Sequence, residues 1–147
     1  MSTSAKTSRS RHRSSSRRLL LDTHVFLWAA SDPERLTADV RGAIIDPKND
    51  VFISAAVIWE VVIKHALGKL RLPASPVTYL PALVAQLGFH HLPITHEHAL
   101  MIAALPTHHR DPFDRMIIAQ ARFEGMTLIS IDRNIAKYGV QYLAALG

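Results

Sequence analysis

A chain of 147 residues, 48% of them apolar, has room for one packed domain and no second catalytic one. It contains no cysteine, which excludes disulfides, thiolate nucleophiles and cysteine-ligated zinc or iron-sulfur centres. The formal charge of +5 is unevenly placed: six of the 17 basic residues and none of the 12 acids fall in the first 18 positions, so the remainder is close to neutral.

Residues 1–17 form a basic, serine-rich extension with almost nothing apolar to bury, and disorder is expected there. Such an arm either binds nucleic acid nonspecifically through counterion release or is a dispensable extension from a start placed upstream of the usual one. No apolar run is long enough to span a membrane, and the basic start lacks the apolar segment of a signal peptide. A soluble cytoplasmic protein is expected.

Residues 18–147 read as one domain. Leu19-Leu20-Leu21 is too short and too uniformly apolar for an amphipathic helix and suits a strand buried on both faces. Asp22 follows it, either as a site residue at the carboxyl end of a strand or as the cap of a helix over His24–Ala30. Thr37 caps a second short helix over Ala38–Ile45, and Val51-Phe52-Ile53 is a second buried strand. Ser54 closes that strand and caps a helix from Ala55 to about Leu67, with Gly68 as its stop. Glu60 in this helix lies four residues before Lys64, so a solvent-facing ion pair accounts for it without chemistry.

A helix over Pro76–Leu87 carries Pro81 in its first turns or at a kink, and Phe89–Leu92 is a weaker strand nearer an edge. A helix over His96–Leu105 follows, capped by Thr95. Asp111-Pro112 is an efficient helix start, which places Asp114 at the third helical position, favoured for an acid. That helix runs to Glu124 and ends at Gly125. Met126–Ile129 is a buried strand, then Ser130-Ile131-Asp132 repeats the arrangement of strand, polar edge and acid seen at Asp22, and Gly139–Leu143 supplies a last edge strand. The alternation gives a three-layer α/β/α sandwich around a central, mainly parallel sheet.

In a parallel sheet, strand ends and helix starts share one rim, so Asp22, Glu60, Asp114 and Asp132 converge on it. Crowded carboxylates repel and raise one another's pKa values unless a cation compensates. Lys64, Arg110, Arg115 and Arg133 supply part of that charge; a hard divalent ion with oxygen ligands, Mg²⁺ or Mn²⁺, supplies it better. One or two such ions suit phosphodiester hydrolysis, with the arginines facing the substrate backbone. Pairing of His24 with Asp22, or of His109 with Asp111, offers a general base as a weaker alternative, and a zinc pair of His96 and His98 is weaker still because i,i+2 residues do not share a helix face.

The stretches Leu20-Leu21-Asp22-Thr23-His24-Val25-Phe26-Leu27-Trp28, Ser54 to Glu60, His109-Arg110-Asp111-Pro112-Phe113-Asp114-Arg115 and Ser130-x-Asp132 together resemble the PIN-domain ribonucleases, specifically VapC-type toxins of prokaryotic type II toxin-antitoxin modules. The resemblance covers residues 18–147. It implies that Asp22, Glu60, Asp114 and Asp132 are metal-binding acids, that Asp111 is a cap and not a ligand, and that the protein is a homodimer. It also implies a Mg²⁺-dependent endoribonuclease, with Mn²⁺ as substitute, restrained by an antitoxin whose C-terminal segment covers the site. Ser130 stands where threonine is common in the family and keeps the hydroxyl. Ser130 and Thr23 are expected to orient carboxylates, and Arg110, Arg115 or Arg133 to position RNA. A noncatalytic RNA-binding module is the alternative. A metal-dependent phosphatase is disfavoured, since His24 stands where a phosphoaspartyl mechanism needs a second Asp.

Overall fold

The computed structural model describes residues 16–147. The expected disorder of the basic extension, and its reading as a nucleic-acid arm, fall up to residue 15 outside the described residues. The described chain opens on two anchors: the Ser16 hydroxyl donates to the Lys48 carbonyl at 2.8 Å, and the Arg17 amide to Asn49 Oδ1 at 2.9 Å.

Five strands and six helices follow: β1 Arg18–Leu21, α1 Thr23–Ser31, α2 Ala38–Ile45, β2 Asp50–Ser54, α3 Ala55–Ala66, α4 Pro76–Gln86, β3 His90–Leu92, α5 His96–Met101, α6 Pro112–Glu124, β4 Thr127–Ser130 and β5 Tyr142–Ala144. Single 3₁₀ segments cover Pro33–Arg35, Ile102–Ala104 and Arg133–Tyr138. All strand pairs are parallel, in the order β3-β2-β1-β4-β5. This is the expected α/β architecture. Leu19, Leu20 and Leu21 in the central strand are each 0% exposed. Because successive strand side chains point to opposite faces, that pattern requires a covered sheet on both sides. Phe26, Val40, Ile53, Leu80, Ile118, Leu128 and Ile135 complete one continuous core.

The chain builds β1, β2 and β3 outward in one direction and then returns to place β4 on the other flank of β1. At that reversal the loops after β1 and β4 diverge, opening a crevice at the carboxyl ends of the two strands. Asp22 and Ser130 stand at this point.

Helix starts match the sequence reading because capping is local chemistry. Asp22, Thr37, Ser54, Thr95 and Asp111 each accept a backbone N–H at the first turn of the following helix. Two strands start one residue later than expected, for one reason. After Gly88 (φ 72°) and Gly125 (φ 69°) the next amide turns back, Phe89 to the Val84 carbonyl and Met126 to the Ala121 carbonyl. These residues belong to helix-ending motifs and not to the sheet. The expected helix over His96–Leu105 tightens into a 3₁₀ turn after Met101, where Leu105 bonds back to Ile102. Pro81 lies inside α4 without ending it.

Candidate active site

Asp22 is buried and uses both oxygens. Oδ1 accepts the Val25 amide at 2.9 Å and so caps α1; Oδ2 accepts the Ser130 hydroxyl at 2.5 Å and the Ile131 amide at 3.3 Å. The capping role and the rim position are therefore the same residue's two functions. Burial pushes its carboxyl above the ordinary range, against the pull of those hydrogen bonds and of His24.

Glu60 is also buried, two turns along α3 from the Ser54 cap. Its Oε1 accepts the Thr23 hydroxyl at 2.6 Å and its Oε2 pairs with Lys64 Nζ at 2.7 Å. The i,i+4 pair expected from the sequence is present, but it does not face solvent: Glu60 points inward and draws Lys64 over the cleft. The Glu60 hydrogen bond holds the Lys64 ammonium above its usual range.

Asp114, in the first turn of α6, has no such compensation. Burial first, then the negative charges of Asp111, Glu60 and Asp22, raise its carboxyl to about 6, against the pull of His109 and Lys64. Asp111 is the helix cap, accepting the Phe113 and Asp114 amides at 2.8 and 3.0 Å.

Asp132 leads into the 3₁₀ segment after β4. Its Oδ1 accepts the Asn134 amide at 2.9 Å, its own amide donates to Ser130 Oγ at 3.0 Å, and Oδ2 meets His109 Nε2. Burial alone would raise this carboxyl, but His109 and the Asn134 amide hold it below the usual range. The expected pairing of His109 with Asp111 is thus replaced by one with Asp132. His109 Nδ1 lies 2.8 Å from the buried Tyr138 hydroxyl. Since a carboxylate only accepts, Nε2 donates to Asp132, and Nδ1 faces the Tyr138 hydroxyl on the other side of the ring. Tyr138 was not singled out from the sequence, where nothing links it to position 109.

All four acids line one cleft of about 260 Å³, together with Thr23, His24, Lys64, Asp111, Ser130 and Ile131. They reach it from β1, α3, α6 and the segment after β4. Among the described residues, however, no three His, Asp or Glu side chains stand together as a ready set of metal ligands. Lys64, Thr23, Ser130 and His109 each hold a carboxylate oxygen.

Other expected contributors lie elsewhere. Arg115 turns inward, donating to the carbonyls of Pro106 at 2.9 Å and Ile102 at 3.2 Å, and Arg133 donates to the Leu146 carbonyl at 3.2 Å. Arg110 is exposed. His98 is fully buried, accepting the Thr95 amide on Nδ1 and meeting Glu124 at 2.8 Å through Nε2, whereas His96 is exposed.

A fold of this topology with acids at the switch point defines a class, and comparison with known proteins agrees. The PIN domain family model matches residues 19–141, and the chain belongs to that family. Within it, the chain is related to the VapC toxins of type II toxin-antitoxin systems. It is 30% identical over 122 residues to ribonuclease VapC22 of Mycobacterium tuberculosis (strain ATCC 25618 / H37Rv), covering 82% of this chain and 91% of that protein. A second match, 35% over 68 residues to ribonuclease VapC16 of the same organism, covers 44% of this chain and 48% of that relative. The fold superposes on VapBC2 from Rickettsia felis, bound there to a DNA fragment from its promoter, with a TM-score of 0.66 and 14% identity over 87% of this chain and 98% of that one. No helix among the described residues is long and apolar enough to cross a membrane.

Proposed function

We propose that this chain is a metal-dependent endoribonuclease, the toxin of a type II toxin-antitoxin pair acting in the cytoplasm, with residues 18–147 as its nuclease domain. The observation that carries the reading is the meeting of four acids, up to 110 positions apart, in one cleft at the switch point. Relationship to proteins described as ribonucleases supports it.

The donor chemistry fits a hard divalent cation. Every acid offers carboxylate oxygen, the chain has no thiolate, and Asp114 lies in an excess of negative charge that no described side chain neutralises in full. Asp22, Glu60, Asp114 and Asp132 would hold Mg²⁺ or Mn²⁺. Such an ion supplies an activated water at neutral pH and stabilises charge on the phosphodiester.

The protein's own part is to fix those donors. Ser130 and the Ile131 amide orient Asp22, Thr23 and Lys64 orient Glu60, and the Tyr138–His109 pair orients Asp132 as an anion. Asp114, with the freest carboxylate, adjusts to the ion. Each oxygen now engaged by Lys64 or His109 keeps a second lone pair. A basic side chain of an antitoxin inserted among the acids would satisfy the same charge.

Cleavage of RNA in Mg²⁺ or Mn²⁺ tests the reading, with Asp22→Asn and excess chelator as controls. Either control should abolish product; undiminished cleavage in both would overturn the assignment. Release of phosphate from a monoester without RNA cleavage would favour a phosphatase, and RNA binding without cleavage a binding module. Co-purification with a small neighbouring gene product tests the partner.

A further inference from the structure

A polyanion drawn toward four acids has to be held by cations outside them, and two of the three arginines expected to do so already donate to backbone carbonyls. Arg115 serves the Pro106 and Ile102 carbonyls, and Arg133 the Leu146 carbonyl. Beside the acid cleft lies a second groove of about 740 Å³. It is lined by His24, Leu27 and Trp28 of α1, Lys69 and Arg71 of the α3–α4 connection, and Tyr79 of α4. Thr23, His24 and Lys64 line both depressions, so one leads into the other.

The lining combines exposed positive charge with ring surface. Lys69 and Arg71 are exposed. His24 and Trp28 are one helical turn apart with ring centroids at 5.7 Å, and the Arg35 guanidinium sits 4.2 Å from the Trp28 ring centroid. Cations that follow a backbone, beside aromatic rings that accept any base, are the physical recipe for unpaired nucleic acid. The groove has the volume of a small-molecule pocket and accepts a short unpaired stretch, not a duplex.

We propose, resting on the nuclease reading above, that this groove binds single-stranded RNA on one side of the cleaved phosphodiester. Lys69 and Arg71 hold phosphates, while Trp28 and Tyr79 offer ring surface to the bases. RNA enters the acid cleft past His24 and Thr23. Charge complementarity and continuity with the cleft favour RNA over a protein segment as occupant.

The test uses the full chain and a labelled, unpaired oligoribonucleotide in chelator, so that binding is read without cleavage. The basic extension then contributes equally to every variant. Lys69→Ala/Arg71→Ala should weaken binding at least about tenfold and flatten the slope of log affinity against log salt by about 1.4, two phosphate contacts at roughly 0.7 each. Trp28→Leu should weaken binding about tenfold with the salt slope unchanged, as loss of stacking requires. The chain has two tryptophans; in a Trp59→Phe background, RNA should quench Trp28 fluorescence. With Mg²⁺ present, the double variant should raise KM and leave kcat in place.

Affinity, slope and fluorescence unmoved by these changes would overturn the groove while parent cleavage upheld the nuclease. Parent RNA binding with the stated dependences but no cleavage would uphold the groove and remove the nuclease reading. Loss of a co-expressed protein partner from Lys69→Ala/Arg71→Ala, with RNA affinity and slope intact, would assign the groove to that partner and overturn the proposal.

Discussion

Asp114 carries a charge that the folded chain resists. Its carboxyl titrates near 6 in the fold against 3.8 as a free side chain, so between those values the native state holds a proton that the unfolded chain has lost. Its contribution to stability therefore falls as pH rises from about 4 to 6 and stays lost above that. Asp114→Asn should stabilise the metal-free protein at pH 7 by on the order of 1–2 kcal/mol once solvent screening of this half-buried carboxyl is allowed for, with no gain near pH 3.5; chemical denaturation in chelator at the two pH values reads this. The same substitution should remove RNA cleavage, the trade expected where a strained site serves function. Manganese binding, followed by electron paramagnetic resonance, should weaken as pH falls through about 6. Asp132 has the opposite sign. It lies below its usual range, so its contribution is present above the unfolded value and is lost as pH falls through the folded one. His109→Ala should raise the Asp132 pKa, measured by carboxyl NMR titration, because burial then acts with less opposition.

At the scale of elements, α3 depends on one hydroxyl. Ser54 ends β2, caps α3 through the Ala56 amide at 2.9 Å, and donates to the buried Gln120 of α6 at 2.5 Å. Gln120 in turn donates to the Pro93 carbonyl and approaches His98, so the helices carrying Glu60 and Asp114 are pinned through a single buried network. Ser54→Ala should cost roughly 2 kcal/mol, combining a lost cap with a buried amide oxygen left unpaired, as read by urea unfolding. Gly125→Ala forces a side chain into φ 69° and should cost about 1 kcal/mol. The caps, the strand runs and the four acids were legible in the sequence because each is a local pattern. Partners were not. The i,i+4 spacing of Glu60 and Lys64 shows that they meet, but not that the pair is folded over a cleft. The link from His109 to Asp132 spans 23 positions and exists because β4 runs back along α6, which brings the start of the helix to the end of the strand. Arg115 reads as free to meet substrate until the loop before α6 wraps back over it. His24 and Trp28 share a helix face by their spacing, yet the groove beneath them is completed by Lys69, Arg71 and Tyr79 from elsewhere.

The molecule as a whole leaves apolar surface uncovered. Ala55, Ile58, Val62, Pro76, Val77 and Leu80 line a groove of about 500 Å³ between α3 and α4, and Val77 is 83% exposed. Such a surface suits the homodimer expected from the sequence. Val77→Glu should shift the mass measured by light scattering from dimer to monomer; a monomeric parent protein would remove the expectation. The parallel sheet has a different consequence, set by order of synthesis. Its middle strand is made first, but the neighbour that supplies Ser130 to Asp22 comes 108 residues later. A ribosome stalled anywhere before that point leaves Asp22 without its partner and β1 with one flank bare. Under the proposed function, a nascent chain that stops short of Ser130 and Asp132 lacks one acid and the hydroxyl that seats another, so it should cleave no RNA.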